Sequence, residues 1–258
     1  MIKLHQQTFG TGKSIVLVHG WAMHSGIWHD FAMQLAQYYQ VTCIDLPGHG
    51  HSDNLDNFTL EQVADALVDA VADEQSCWLG WSLGANVVVD IARRYPERVN
   101  SLVLLAGNPH FTCTEQWPGM KVDLLEAFAE QLALDAPATL LRFLSLQVAH
   151  LPDYKVLLKN LKAVIMARAM PNIDALQGGL AILKYADLRS ALAEAQMPIL
   201  VLLGTRDILV PIAVAEAIKA LAPAIQMVVI DKAGHVPFLS HPQIVLETIT
   251  NFMDAPCH

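Results

Sequence analysis

The fold of this chain is decided by the stretch Ser76-Cys77-Trp78-Leu79-Gly80-Trp81-Ser82-Leu83-Gly84. Its first part is a short apolar run typical of a buried strand, and its end matches the pattern G-x-S-x-G where a helix is predicted to begin. A nucleophilic serine has to project from a sharp strand-to-helix turn, and flanking glycines keep that turn free of collisions. Ser82 is therefore a candidate nucleophile, although the same pentapeptide also occurs by chance in ordinary loops.

Short runs typical of strands recur on both sides of this stretch. They alternate with helix-length segments, such as the one that begins at Thr59, where Thr59 and Gln62 form a capping-box pattern. This alternation predicts an α/β fold: a mostly parallel sheet with helices on both faces. The predicted strands are Ser14–His19, Val41–Asp45, Ser76–Trp81, Ser101–Ala106, Pro198–Gly204 and Gln226–Asp231.

The alternation stops between residues 111 and 187, where the pattern predicts helices only. We therefore predict a core of residues 1–110 and 188–258 and, inserted in it, a helical lid of residues 111–187 over the edge of the sheet where ligands bind. An ordinary helical excursion away from any site is the alternative. The apolar stripes are Leu140, Leu141, Leu144 and Val148 in one helix, and Tyr154, Leu157, Leu158, Leu161 and Ile165 in another.

Composition excludes several classes of protein. A chain of 258 residues with 53% hydrophobic and 16% charged residues fits one large domain, and no apolar run approaches the roughly 20 residues of a membrane span. The start MIKLHQQTFG has no signal core, so we expect a cytoplasmic protein. A net charge of −9 opposes binding to nucleic acid or anionic membranes. The widely spaced Cys43, Cys77, Cys113 and Cys257 favour free thiols over a disulfide framework, and no metal site is predicted.

A serine hydroxyl becomes a strong nucleophile only beside a base that a carboxylate orients. Asp207 follows the predicted strand that ends at Gly204, and His235 follows the last predicted strand. Both therefore lie at the same edge of the sheet as Ser82, in the chain order Ser, Asp, His. Taken alone, Asp207 could be a turn residue and His235 a solvated loop histidine. Together they predict a catalytic triad of Ser82, Asp207 and His235.

Acyl transfer also needs N–H donors aimed at the oxyanion of the tetrahedral intermediate. One is the amide of Leu83, the residue after the nucleophile, and the other is expected from the loop after an early strand, in His19-Gly20-Trp21. We assign the second donor to the amide of Trp21. Its side chain could at the same time be a core aromatic.

These motifs together resemble the α/β-hydrolase superfamily, over almost the whole chain. More narrowly, the sequence is similar to the pimeloyl-[acyl-carrier protein] methyl ester esterases of biotin synthesis, through Trp117-Pro118-Gly119, RFLSLQ at 142–147 and GGLAILK at 178–184. The resemblance implies a monomeric serine carboxylesterase without a cofactor. It would hydrolyse the methyl ester of pimeloyl-[acyl-carrier protein], releasing methanol, and would also act on short-chain esters. It implies substrate contacts by Trp21, Trp81, Ser82, Leu83, Phe143, Leu144, Ser145, Leu146, Gln147 and His235.

Between residues 137 and 170 the chain carries five basic residues and one acidic residue, within a chain of net charge −9. A basic lid on an acidic body can steer an acidic carrier protein to the site. The predicted docking residues are Arg142, Lys155, Lys159 and Lys162, and an ordinary solvated helix face is the alternative.

Two other functions stay open, because a fold does not fix a substrate. One is hydrolysis of another small ester, a lipid ester or a C–C bond. For Trp81, Phe143 and Leu146, core packing is the alternative to lining an apolar tunnel. The other open function, which a complete triad opposes, is a non-catalytic ligand-binding protein of the same fold.

Overall fold

The computed structural model describes residues 2–255 of the chain. Cys257, one of the four predicted free thiols, lies outside the described residues. Cys43, Cys77 and Cys113 are unpaired, and burial raises the pKa of the first two thiols to about 12. The two buried thiols therefore stay protonated and unreactive at neutral pH.

One seven-stranded sheet runs through the described part of the chain, in the strand order β1-β3-β2-β4-β5-β6-β7. All neighbouring strands are parallel except β1 and β3, which pair antiparallel. Six strands lie where the sequence predicts them, with ends shifted by one or two residues, and β1 is an additional edge strand. The strands are β1 Gln6–Phe9, β2 Ser14–Val18, β3 Gln40–Ile44, β4 Ser76–Trp81, β5 Val99–Leu105, β6 Ile199–Gly204 and β7 Gln226–Ile230.

Helices connect the parallel strands, as a parallel sheet requires. The predicted start at Thr59 is confirmed, because its hydroxyl accepts a hydrogen bond from the Gln62 amide at 3.3 Å. The helices are α1 His29–Leu35, α2 Leu60–Ala70, α3 Leu83–Arg94, α4 Val122–Leu134, α5 Ala136–Gln147, α6 Tyr154–Met166, α7 Ile173–Tyr185, α8 Arg189–Glu194, α9 Val214–Leu221, α10 Pro237–Ser240 and α11 Pro242–Asp254.

The sheet separates two clusters of buried apolar side chains, because successive residues of a strand point to opposite faces. Helices α2, α3 and α9 cover one face, and α1 and α11 cover the other. Helix α5 contributes to both clusters, with Phe143 in the first and Leu144 in the second. Leu141 and Tyr154, expected on the apolar stripes, are instead exposed.

Five helices, α4 to α8, lie between the adjacent parallel strands β5 and β6 and form the helical insertion that the sequence predicts. The last of them, α8, follows residue 187 and packs against α3. The boundaries at residues 111 and 187 stay a prediction. In residues 2–255, none of the helices has the length and apolar character needed to cross a membrane.

Candidate active site

Ser82 lies at the turn between β4 and α3 with a positive φ of 56°. Residues other than glycine rarely adopt this backbone conformation, so the surrounding structure has to stabilise it. The Ser82 amide donates to the Leu105 carbonyl of β5 at 3.1 Å. A Cβ on Gly80 would collide with the Gly84 carbonyl, and one on Gly84 would collide with the Val18 carbonyl. The two glycines are therefore the residues that let this turn form.

Three side chains from distant parts of the chain meet at this turn. His235 Nε2 lies 2.8 Å from Ser82 Oγ, and His235 Nδ1 lies 2.8 Å from Asp207 Oδ2. The other oxygen of Asp207 accepts from the amides of Leu209 and Val210, at 2.8 and 3.0 Å. We call Ser82, His235 and Asp207 the serine triad.

The hydrogen-bond partners fix the tautomer of His235. The ionised Asp207 carboxylate can only accept, so Nδ1 carries the hydrogen and donates it. Nε2 is then left to accept from the Ser82 hydroxyl. This arrangement can remove a proton from the serine and hold the imidazolium that results.

The loop that carries His235 is held from two sides. The Trp81 indole donates to the His235 carbonyl at 2.7 Å, and the His235 amide donates to the Gln147 carbonyl at 3.2 Å. The Trp81 ring also packs against Trp28 and Phe238, in the buried cluster on the α1 side of the sheet. Trp81 therefore packs in the core, which was the alternative to its lining an apolar tunnel. Its indole also supports the loop that carries His235.

Leu83 follows Ser82 directly, and Trp21 follows Gly20, where a Cβ would lie 3.2 Å from the Ser82 Cβ; these two residues are the predicted oxyanion donors. Neither of their amides has an acceptor among residues 2–255, so both are free for a ligand oxygen. The Trp21 indole donates to the Leu176 carbonyl of α7 at 2.8 Å, and its ring meets Phe143 edge to face at 4.8 Å between centroids. Phe143 and Trp21 thus join the insertion to the core beside the site.

The other predicted contacts on α5 differ in position. Leu144 is buried and Leu146 is half-buried. Gln147 is 1% exposed, and neither atom of its side-chain amide has a partner among residues 2–255. Ser145 is exposed and its hydroxyl donates to the Leu141 carbonyl at 2.9 Å, so the structure does not bring Ser145 to the triad.

The predicted docking residues lie on the outside of the insertion. Arg142, Lys155 and Lys159 are exposed and Lys162 is half-buried. The Arg142 guanidinium lies over the Phe128 ring, 5.5 Å from its centroid, which limits its freedom.

Arg168, counted above among the basic residues of the lid, is not part of this surface. Its side chain is 13% exposed and forms an ion pair of 2.6 Å with Asp45, which is completely buried. The Asp45 carboxylate also accepts from the amides of Ser25, at 2.5 Å, and His51, at 3.0 Å. Sequence reasoning missed this pair. The signal that could have found it is a charged Asp45 at the end of a buried strand, which needs a partner.

No metal site accompanies these groups in the part of the chain that the structure describes. Among residues 2–255, no three His, Cys, Asp or Glu side chains lie close enough to hold a metal ion.

The fold and the site define an α/β hydrolase. Residues 13–242 match the family model described as alpha/beta hydrolase fold. An esterase from Exiguobacterium antarcticum superposes with a TM-score of 0.88 at 22% identity, covering 98% of this chain and 96% of that one. A bromoperoxidase from Bacillus anthracis gives the same TM-score at 19% identity, over 98% and 96% of the two chains. At such low identity these likenesses show the fold alone.

Comparison with curated relatives identifies a narrower family within this fold. The pimeloyl-[acyl-carrier protein] methyl ester esterase of Methylococcus capsulatus is 42% identical over 96% of this chain and 97% of its own. That of Pectobacterium atrosepticum is 39% identical over 99% of this chain and 100% of its own. The chain therefore belongs to the α/β-hydrolase fold family and, within it, to the family of these methyl ester esterases. It is a carboxylic ester hydrolase, as the sequence predicts.

Proposed function

We propose that this protein hydrolyses the methyl ester of pimeloyl-[acyl-carrier protein] to pimeloyl-[acyl-carrier protein] and methanol, in the biotin synthesis of the cytoplasm. The observation that carries the proposal is the unbroken chain of hydrogen bonds from Ser82 through His235 to Asp207. Relatives named for this reaction, about 40% identical over nearly the full length, support the choice of substrate.

The reaction proceeds in two halves. His235 Nε2 takes the proton of Ser82 as its oxygen attacks the ester carbonyl, and the amides of Trp21 and Leu83 hold the oxyanion. The intermediate collapses, His235 protonates the departing methoxide, and an acyl-serine remains. Water, activated by the same histidine, then releases the acid. The loss of one oxyanion donor typically lowers the rate about 10²- to 10³-fold, so both amides matter.

The site favours an apolar chain with few polar atoms. Trp21 and Phe143 supply the apolar surface beside Ser82, and Gln147 supplies a buried amide that has no partner in the described part of the chain. An unsatisfied buried amide costs free energy, which a carbonyl or amide of the bound substrate would recover. Ser82 is only 3% exposed, which suits entry of the ester by a movement of the insertion.

The exposed cations of the insertion suit the carrier protein. Arg142, Lys155, Lys159 and Lys162 form a basic surface on a chain of net charge −9. An acidic carrier is attracted to this surface and repelled by the rest of the molecule, which favours encounters near the site entrance.

The first test measures hydrolysis of pimeloyl-carrier methyl ester beside a panel of simple methyl and ethyl esters, for wild type and Ser82→Ala. We expect the carrier-linked ester to give the highest kcat/KM and Ser82→Ala to lower it at least about 10⁴-fold. Wild-type turnover by Ser82→Ala would remove the proposed mechanism. A higher kcat/KM for a lipid ester or a C–C bond substrate would replace the proposed substrate.

The second test reverses Lys155, Lys159 and Lys162 to Glu. We expect KM for the carrier-linked ester to rise about tenfold or more while small esters are hydrolysed as before, because only the carrier meets this surface. The matched control reverses three exposed lysines of the core, Lys13, Lys219 and Lys232. Equal KM values for the two triple variants would remove the docking surface.

A further inference from the structure

The loop that carries the oxyanion donor is tied to the insertion at three points. We call residues 19–25 the oxyanion loop and residues 164–176 the clamp segment. The Trp21 indole donates to the Leu176 carbonyl, and His24 Nε2 donates to the Val164 carbonyl, each at 2.8 Å. The third tie runs through side chains: the Ser25 amide donates to Asp45, which is paired with Arg168.

The third tie is an ion pair with little contact with water. Asp45 is completely buried and Arg168 is 13% exposed, so neither charge is well solvated. A buried pair of this kind is costly to break, because the partner left behind is an uncompensated charge. The ion pair occupies the space beside Gly50, where a side chain would otherwise lie, and Gly50 has a φ of +57°. A Cβ there would collide with the Asp45 carboxylate and lie 2.9 Å from Arg168 Nη1.

Opening the site has to disturb these ties. Ser82 and His235 are almost fully buried, so an ester that enters by displacement of the insertion has to break these ties. Trp21 and His24 would then lose their partners, and Asp45, which holds the Ser25 amide, would lose Arg168. The Trp21 amide would be held in place only when the clamp segment has closed again.

We propose that Arg168 is a positioning residue, whose ion pair with Asp45 holds the oxyanion loop in its reactive geometry only while the insertion is closed. This inference rests on the proposed serine esterase function. Closure of the insertion thereby completes the oxyanion hole, so the enzyme gains its full activity after substrate has entered. Among residues 2–255 the Arg168 side chain is bonded to Asp45 and not to a residue of the triad, so it acts through Asp45.

The test uses a short acyl ester, so that docking of the carrier plays no part. Arg168→Met removes the ion pair, Arg168→Lys keeps the charge without the planar guanidinium, and Lys184→Met is the control. Lys184 pairs with Glu126 inside the insertion, at 2.7 Å, and touches neither the oxyanion loop nor Asp45. A trifluoromethyl ketone, which forms a tetrahedral adduct with the serine, serves as the probe of the oxyanion hole.

We expect Arg168→Met to lower kcat and kcat/KM equally, by about 10- to 100-fold, because a misplaced donor weakens only the transition state. The affinity for the trifluoromethyl ketone should fall by the same factor. Arg168→Lys should lie between wild type and Arg168→Met in both measurements, with kcat about 3- to 10-fold below wild type. Lys184→Met should match wild type in both measurements.

The positioning role is overturned if Arg168→Met loses no more activity than Lys184→Met, or if kcat falls while the ketone binds as before. Should Arg168→Met not fold, Arg168→Lys decides, since its kcat and ketone affinity must fall together. Ser82→Ala on the same ester separates the two claims. An inactive Ser82→Ala beside an unimpaired Arg168→Met ends the positioning role alone, whereas an active Ser82→Ala ends both.

Discussion

Two buried groups of histidine and aspartate lie at the same edge of the sheet. One is the serine triad, beyond β4, β6 and β7. The other, which we call the support cluster, lies beyond β2 and β3 and consists of His19, Asp45, His49 and Arg168. Both groups have fully buried carboxylates and imidazoles, yet the partners of those imidazoles differ.

In the support cluster the histidines bond, within residues 2–255, to backbone groups only. His19 accepts from the Leu46 amide and donates to the Gly20 carbonyl, both at 2.9 Å, and His49 donates to the Pro47 carbonyl at 2.8 Å. Burial lowers the pKa of His19 to about 3 and that of His49 to about 4. These rings stay neutral at physiological pH and have no hydroxyl to deprotonate.

The comparison shows that residue type and burial do not by themselves make a reactive site. His235 has a carboxylate on one nitrogen and a hydroxyl on the other, and this pair of side-chain partners is the arrangement that a general base requires. The support cluster uses the same residue types to fix loops.

Asp207→Asn is the largest expected effect and tests the reactive side of the comparison. Because Asp207 Oδ1 accepts two amides, the new amide would turn its NH₂ towards His235 Nδ1 and favour the wrong tautomer. We expect kcat for a small ester to fall about 10⁴-fold, with a loss of unfolding free energy of about 1 kcal/mol.

The matched control is Asp231→Asn, a nearby carboxylate that is 78% exposed, which should keep the wild-type kcat. A loss of less than tenfold in Asp207→Asn would show that the carboxylate does not orient His235, and the two clusters would then be alike.

Asp45→Asn tests the supporting side of the comparison. It leaves the Arg168 guanidinium buried beside a neutral amide, so we expect the free energy of unfolding in urea to fall by about 3 kcal/mol. Asp187→Asn is the control, because Asp187 pairs with Arg189 at the surface and should cost less than about 1 kcal/mol. Equal losses of unfolding free energy in the two variants would mean that the buried Asp45 pair stabilises the fold no more than the surface pair does.

His49→Phe has the smallest expected effect and concerns pH. Its pKa is 6.5 when unfolded and about 4 when folded, so the unfolded chain binds more protons as pH falls below 6.5. The stability due to neutral His49 is complete above pH 6.5 and is lost towards pH 4. We expect His49→Phe to remove about 2 kcal/mol of the loss between pH 7 and pH 5.

Urea unfolding at both pH values measures this difference. An unchanged pH dependence would show that folding does not lower the pKa of His49, so that burial does not hold its ring neutral.

The sequence predicts the parallel strands well, because a strand buried on both faces has to be a nearly continuous apolar run. It also predicts the meeting of Ser82, Asp207 and His235, since each follows a strand whose end lies at one edge of the sheet. Their catalytic roles stay predictions until the variants above are measured.

Other features of the structure have no recognisable pattern in the sequence. The strand β1, with sequence QQTF, is short, polar and largely exposed, so nothing in its sequence marks it as a strand. The pair of Asp45 and Arg168 joins residues 123 positions apart. Arg168, counted only in the charge of the lid, follows the end of helix α6 at Met166, and its side chain is 13% exposed.

The ion pair of Asp45 and Arg168 limits how the insertion can be exchanged between relatives. A chimera that took its substrate-covering helices from another hydrolase would inherit the Asp45 carboxylate from the host sheet. Unless the donor brought a cation to the place of Arg168, that carboxylate would be orphaned under the graft. Swapping specificities in this scaffold therefore means transplanting both halves of the pair, or replacing both with matched apolar residues.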